Sequence, residues 1–143
     1  MILAIGSDTA CHLTDTVSAC LASEGHTLVP VGALNGEAGD YVDAAVAVAQ
    51  RVASGVAEAG VLFCNTGTGA TMIANKIPGA RAALCVDSYS ASIARLANNA
   101  NILVLGIRLT GEILAREIVH TWLKTQPSTE PRRATFHRKT DEI

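Results

Sequence analysis

The chain has 143 residues, of which 49% are apolar and only 3% aromatic, and carries a net charge of −2. That length fits one domain able to bury a core without staples, and the weak negative charge excludes a nucleic-acid footprint over the chain as a whole. No apolar run is long enough to cross a bilayer, so no membrane role is expected. The four cysteines (Cys11, Cys20, Cys64, Cys85) show neither metal-ligand spacing nor a Cys-x-x-Cys pair.

Met1 to Ile5 is a strand-like run with no basic leader before a long apolar stretch. No signal peptide is therefore expected, and the thiols read as reduced in a cytoplasmic protein. Gly6-Ser7-Asp8 closes this first strand. A helix follows with Leu13, Val17, Cys20 and Leu21 as its core face, and Gly25 stops it. His26 to Val31 is the second strand, and Gly32 to Gly39 a polar loop. Asp40-Tyr41-Val42-Asp43 places acids at the start of a helix running through Ala44–Ala53.

Gly60 to Phe63 reads as a buried strand, with Cys64 at its carboxyl end. Thr66-Gly67-Thr68-Gly69 follows, whose glycines let backbone N–H groups converge into an anion-binding nest that opens into a helix over Ala70 to Asn75. A cysteine at a strand end is by itself ordinary core. Next to a positive helix end, however, thiols ionise more readily and serve as base or nucleophile. A dinucleotide fingerprint would need glycine where Met72 stands, and a P-loop would need Gly-Lys-Ser/Thr; neither is present.

Pro78-Gly79 makes a turn, and Arg81 to Val86 is a fourth strand. Asp87 or Ser88 caps a helix whose apolar face is Tyr89, Ile93 and Leu96, and Asn98 to Asn101 ends it. Ile102 to Leu105 is the fifth strand, with Arg108 just beyond its end. Thr110 caps a last helix with Ile113, Leu114, Ile118 and Trp122 inward. Residues 126–143 are polar, hold two prolines and show no period, so an extended tail is expected. Strand and helix alternate throughout. This predicts an α/β fold over residues 1–143: a single-domain Rossmann-like three-layer α/β/α sandwich with a five-stranded parallel sheet. Ligands then bind at the carboxyl ends of strands, where Asp8, Cys64, Asp87 and Arg108 fall.

A set of motifs runs in register from residue 1 to about Trp122: Gly6-Ser7-Asp8, Asp40-Tyr41, Cys64-x-Thr66-Gly67-x-Gly69, Ala74-Asn75-Lys76-x-Pro78-Gly79-x-Arg81, Asn98-x-Ala100-Asn101 and Leu105-Gly106-x-Arg108. Together they resemble the ribose-5-phosphate isomerase B / galactose-6-phosphate isomerase subunit family. The resemblance implies cofactor-free interconversion of an aldose phosphate and a ketose phosphate through an enediolate. It implies Cys64 as base, Thr66 on a substrate hydroxyl, and the N–H groups of Gly67, Thr68 and Gly69 on the enediolate oxygens. Asp8, Thr9 and Tyr41 would face the sugar, and Asn98 would sit beside C1–C2. Phosphate would fall to Arg108 and the tail, with Arg132, Arg133 and His137 as candidates. It further implies a homodimer or dimer of dimers in which nest and tail come from different subunits, with neither metal nor nucleic acid.

The chain departs from the pattern at Thr9 and at Ala97, where the family carries histidines, the second of them linked to opening the sugar ring. Asn65 replaces a glycine, and the Gly-Arg-His-x-x-Arg tail becomes Pro131-Arg132-Arg133-Ala134-Thr135-Phe136-His137-Arg138. Substrates of ribose 5-phosphate type, a tetrose phosphate whose O4 is blocked from closing a furanose ring, or a hexose 6-phosphate stay open, as does a non-catalytic subunit. A nucleotide-binding module ranks last. His12 is read as an exposed helix residue, and His26 and His120 as structural.

Overall fold

The computed structural model describes all residues 1–143. Strands β1 (Ile2–Ser7), β2 (Thr27–Gly32), β3 (Ala59–Cys64), β4 (Ala82–Leu84) and β5 (Ile102–Gly106) form one parallel sheet in the order β2-β1-β3-β5-β4. The helices are α1 (His12–Ser23), α2 (Tyr41–Ala53), α3 (Thr68–Ala74), α4 (Ser88–Leu96), α5 (Glu112–Lys124) and α6 (Pro131–Asp141). A short 3-10 turn, Ala33–Asn35, follows β2.

Alternation along each strand divides the core into two layers. Ala59, Val61 and Phe63 of β3 pack with Leu13, Val17 and Leu21 of α1, Ala91 and Ala94 of α4, and Ile118, Val119 and Trp122 of α5. Leu62 and Cys64 of β3 join Ala45, Val48 and Val52 of α2 and Ala70 and Ala74 of α3 on the other face. The thiol of Cys64 therefore belongs to the α2–α3 side. The expected sandwich is present, and no helix is long and apolar enough to cross a membrane.

Several local expectations are corrected. Residues 131–141 are helical instead of extended, although no apolar stripe announces α6; Pro131 suits a first helical turn, where its missing N–H costs nothing. Tyr89 and Ile113 point to solvent, 76% and 77% exposed. In their places the small Ala91 and Ala94 let α4 lie close to the sheet, while Ala115, Ile118, Val119 and Trp122 form the inward stripe of α5. Gly111, not Thr110, is the N-cap of α5, and Cys20 is only half-buried. The fourth strand shrinks to three residues at the sheet edge.

Two glycines set how closely α2 approaches. A Cβ at Gly60 would stand 2.7 Å from Val48 Cγ1, and one at Gly6 would stand 2.6 Å from Val48 Cγ2. Both distances are overlaps, and the nearest atoms belong to a β-branched side chain with little freedom to turn away. Gly60→Ala is expected to lower unfolding free energy by about 1–3 kcal/mol through overpacking, read as a drop in the urea midpoint at unchanged slope.

Candidate active site

The corner after β3 is built by backbone hydrogen bonds. Ile107 N–H donates to the Cys64 carbonyl (2.8 Å) and Arg108 N–H to the Asn65 carbonyl (3.0 Å), extending the β3–β5 pairing past the sheet. The chain can make this turn only with glycines at two contacts. Gly67 adopts φ +85, and a Cβ at Gly106 would meet the Thr66 carbonyl oxygen at 2.7 Å. Gly67 is also the N-cap of α3 and supplies no side-chain cap, so the first-turn N–H groups of α3 are left free. Thr71 Oγ1 donates to the Gly67 carbonyl (2.7 Å) and holds the turn from below.

Around this corner lie the residues expected there. Cys64 is buried, while Thr66 and Thr68 are exposed with their hydroxyls 2.9 Å apart. Tyr41 is brought in by the N-cap of α2. Asp40 accepts from the N–H groups of Val42 (2.8 Å) and Asp43 (3.1 Å), fixing Tyr41 in the first turn. Its ring lies over Gly69, where a Cβ would be 2.7 Å from Cε2. Asp8 leaves β1, the strand beside β3, and lines a cleft of about 160 Å³ with Gly32, Glu37, Asp40 and Asp43. Thr9 is exposed and donates its N–H to Ser7 Oγ (3.0 Å). Arg108 is exposed at the same end of the sheet.

The remaining candidates stand elsewhere. Asn98, Arg132 and Arg133 line a second cleft, of about 300 Å³, together with Ala97, Glu130 and Phe136. His137 is buried, and its Nε2 lies 2.8 Å from the Ala97 carbonyl oxygen. This group sits at the amino end of the strands: Asn98 precedes β5, and the Asn101 carbonyl accepts from Gly60 N–H at the start of β3. Register pairs Gly60 with Ile102 and Cys64 with Gly106, so the two groups are separated by four strand steps, roughly 13 Å, plus the loops at either end. One chain does not bring them together.

Sequence reasoning missed Glu130 and Phe136 as walls of the second cleft. Arg132 lies over the Phe136 ring (5.5 Å to the centroid) and Arg133 reaches Glu130 (3.6 Å). The i,i+4 and i,i+3 spacings were the available signal. His12 is exposed as expected and pairs with Glu112 (3.0 Å).

A family model described as Ribose/Galactose Isomerase matches residues 3–140. The chain is 40% identical over 126 residues to a D-erythrulose-4-phosphate isomerase of Pectobacterium atrosepticum, covering 87% of this chain and 83% of that one. It is 39% identical over 114 residues to ribose-5-phosphate isomerase B of Escherichia coli, covering 80% and 76%. The solved structure of Clostridium thermocellum ribose-5-phosphate isomerase B superposes with a TM-score of 0.93 at 41% identity, over 100% of this chain and 97% of that one.

Two outcomes follow from this geometry. Gly69→Ala displaces the Tyr41 ring, and fluorescence of the tyrosines should report the altered environment while the melting temperature moves by only a few degrees. Cys85 is buried, which pushes its thiol up from 9.0 to about 11; a hydrogen bond with Ser90 opposes the rise and the charge of Asp87 adds to it. Because the folded value is the higher one, this contribution to stability is complete below pH 9 and is lost as pH rises through about 11. Roughly 2 kcal/mol of the alkaline loss should vanish in Cys85→Ala, measured by urea unfolding at pH 8 and pH 11.

Proposed function

The chain belongs to the ribose/galactose isomerase family, and from that premise we propose that it interconverts the aldose and ketose forms of a small sugar phosphate through an enediolate. The observation that carries the reading is the juxtaposition of the Cys64 thiol with the uncapped first turn of α3 at one strand end. Cys64, as thiolate, removes the proton from the carbon next to the carbonyl. The electron pair of that C–H bond becomes the C1–C2 double bond, and the carbonyl oxygen takes the negative charge. Backbone N–H groups of Gly67, Thr68 and Gly69 hold that oxygen where charge develops, which is the contribution a preorganised nest makes. Thr66, its hydroxyl already oriented by Thr68, serves the substrate hydroxyl whose proton moves between the two oxygens. The thiol then returns its proton to the neighbouring carbon. Two protons are relocated, one between carbons and one between oxygens, and no electrons leave, so the chemistry requires no cofactor.

Asp8, Thr9 and Tyr41 line the sugar, and Arg108 takes part of the phosphate charge. Asn98, Arg132 and Arg133 complete the site from a second copy of the chain. That assignment is supported by the two poles of the fold: the tail cleft cannot fold back onto the Cys64 corner of its own chain, whereas a neighbour set pole to pole brings them together. A homodimer, or a dimer of dimers, is the assembly this requires. The four free thiols of each chain fit the cytoplasm.

Ribose 5-phosphate and ribulose 5-phosphate are the reference substrate pair, with a hexose 6-phosphate as an alternative. A tetrose phosphate is favoured by one feature: Ala97 leaves the walls of the Asn98 cleft without an imidazole to open a sugar ring. A tetrose 4-phosphate has no furanose ring to open. The intact thiol corner argues against a purely non-catalytic subunit.

Proton NMR in heavy water tests the reaction with erythrose 4-phosphate and ribose 5-phosphate supplied separately. Deuterium should enter the carbon next to the carbonyl with the wild-type chain, and Cys64→Ser should slow this by about 100-fold or more. Retention of exchange in Cys64→Ser would remove the thiol from its role. Mixing Cys64→Ser with the double variant Asn98→Ala/Arg133→Ala tests sharing: random re-pairing restores up to about a quarter of wild-type activity if sites span two chains, and none if they do not.

A further inference from the structure

We propose that His137 is a positioning residue: by donating from Nε2 to the Ala97 carbonyl it fastens α6 across the end of α4 and holds Arg133 beside Asn98. The inference rests on the reading above, in which those two residues serve the substrate, and it takes His137 out of the set that touches phosphate.

No apolar stripe runs along the helix, and His137 is its one buried residue. Apolar burial therefore contributes little, and α6 depends on specific polar ties. Two polar side-chain contacts run from the helix to the body of the domain. His137 Nε2 lies 2.8 Å from the Ala97 carbonyl oxygen, and the Asp141 carboxylate accepts from the Arg81 guanidinium at 2.8 Å. The linker adds a third, with Ser128 N–H donating to the Leu96 carbonyl (3.0 Å). Leu96 and Ala97 are the last residue and the C-cap of α4, where carbonyls have no partner inside their own helix. A carbonyl only accepts, so Nε2 must carry the ring proton. A histidine N–H at a helix carboxyl end satisfies such a carbonyl.

The same contact explains which tail arginine is presented. Arg133 precedes His137 by one helical turn and shares its face. It is half-buried, whereas Arg132, Ala134, Phe136 and Arg138 are exposed. The cleft beside Asn98 is walled by Ala97, Glu130, Arg132, Arg133 and Phe136, and His137 lies behind that wall. Its imidazole is committed to the backbone, so its work is to set where the guanidinium stands. The solvent-exposed Arg81 contact with Asp141 steadies the far end of the helix but lies more than one turn past Arg133.

Two substitutions separate this role from direct substrate contact. His137→Leu keeps bulk and removes the donor; His137→Gln restores an N–H of similar reach. Trypsin cleavage after Arg132 and Arg133, followed by mass spectrometry, should accelerate about tenfold in His137→Leu and stay within about threefold of wild type in His137→Gln, matching the loss and return of one buried hydrogen bond. Steady-state kinetics should show KM for the sugar phosphate rising about tenfold in His137→Leu, with kcat within about twofold, and the inhibition constant for inorganic phosphate rising in parallel. His137→Gln should recover both. A tail in His137→Leu as protected as wild type would overturn the latch. A protected tail in His137→Gln with KM as poor as in His137→Leu would show the imidazole itself meeting substrate, which also overturns it. Should the wild-type chain turn over no sugar phosphate, the functional reading fails, yet the proteolysis rates still decide whether His137 holds α6.

Discussion

Two backbone hydrogen bonds, from Ile107 and Arg108 to the carbonyls of Cys64 and Asn65, govern the Cys64 end of the molecule. They tie the exits of two adjacent strands together and leave the intervening chain only one way to turn. Gly106 gives the Thr66 carbonyl room, Gly67 accepts the left-handed bend, and α3 then begins with its N–H groups unclaimed. Tyr41 closes over Gly69 because α2 approaches the sheet closely, and that approach depends in turn on Gly6 and Gly60. The thiol sits inside the α2–α3 layer for the same reason that Leu62 does: both occupy alternate positions on one face of β3.

The parallel direction of the strands has a second effect. Every loop after a strand lies at one pole, and every loop before a strand lies at the other. Asp8, Cys64 and Arg108 share the first pole, while Asn98 shares the second with the tail. The clefts are unlike in chemistry as well as in place. One offers a thiol, hydroxyls and backbone donors suited to moving a proton; the other offers guanidinium groups beside an amide and suits an anion.

Much of this was legible in residues alone. Apolar runs such as Gly60 to Phe63, bounded by glycines and small polar residues, marked strands because a buried parallel strand needs side chains that satisfy both faces. The Cys64 corner stood out because thiol, hydroxyl and paired glycines coincide there. Tyr89 and Ile113 misled because periodicity identifies a helix but not which of two neighbouring stripes turns inward, and alanines won those positions by allowing closer packing. Helix α6 was invisible to periodicity since it buries almost nothing; only contacts with α4 and Arg81, distant in sequence, reveal it. The separation of Asn98 from Cys64 follows from topology, yet no local pattern expresses it.

Because α6 contributes a single side chain to the interior, its other positions can change at little cost to folding. The Cys64 corner lacks that freedom, since its glycines and carbonyls are locked against neighbouring strands. Under the proposed function, selection can therefore retune which anion is recognised without disturbing the chemistry. Gene duplication adds another route: under the shared-site reading, one copy can lose its thiol and still lend Asn98 and Arg133 to its sister. The fold thus permits a division of labour between paralogues, each keeping the half that the other has shed.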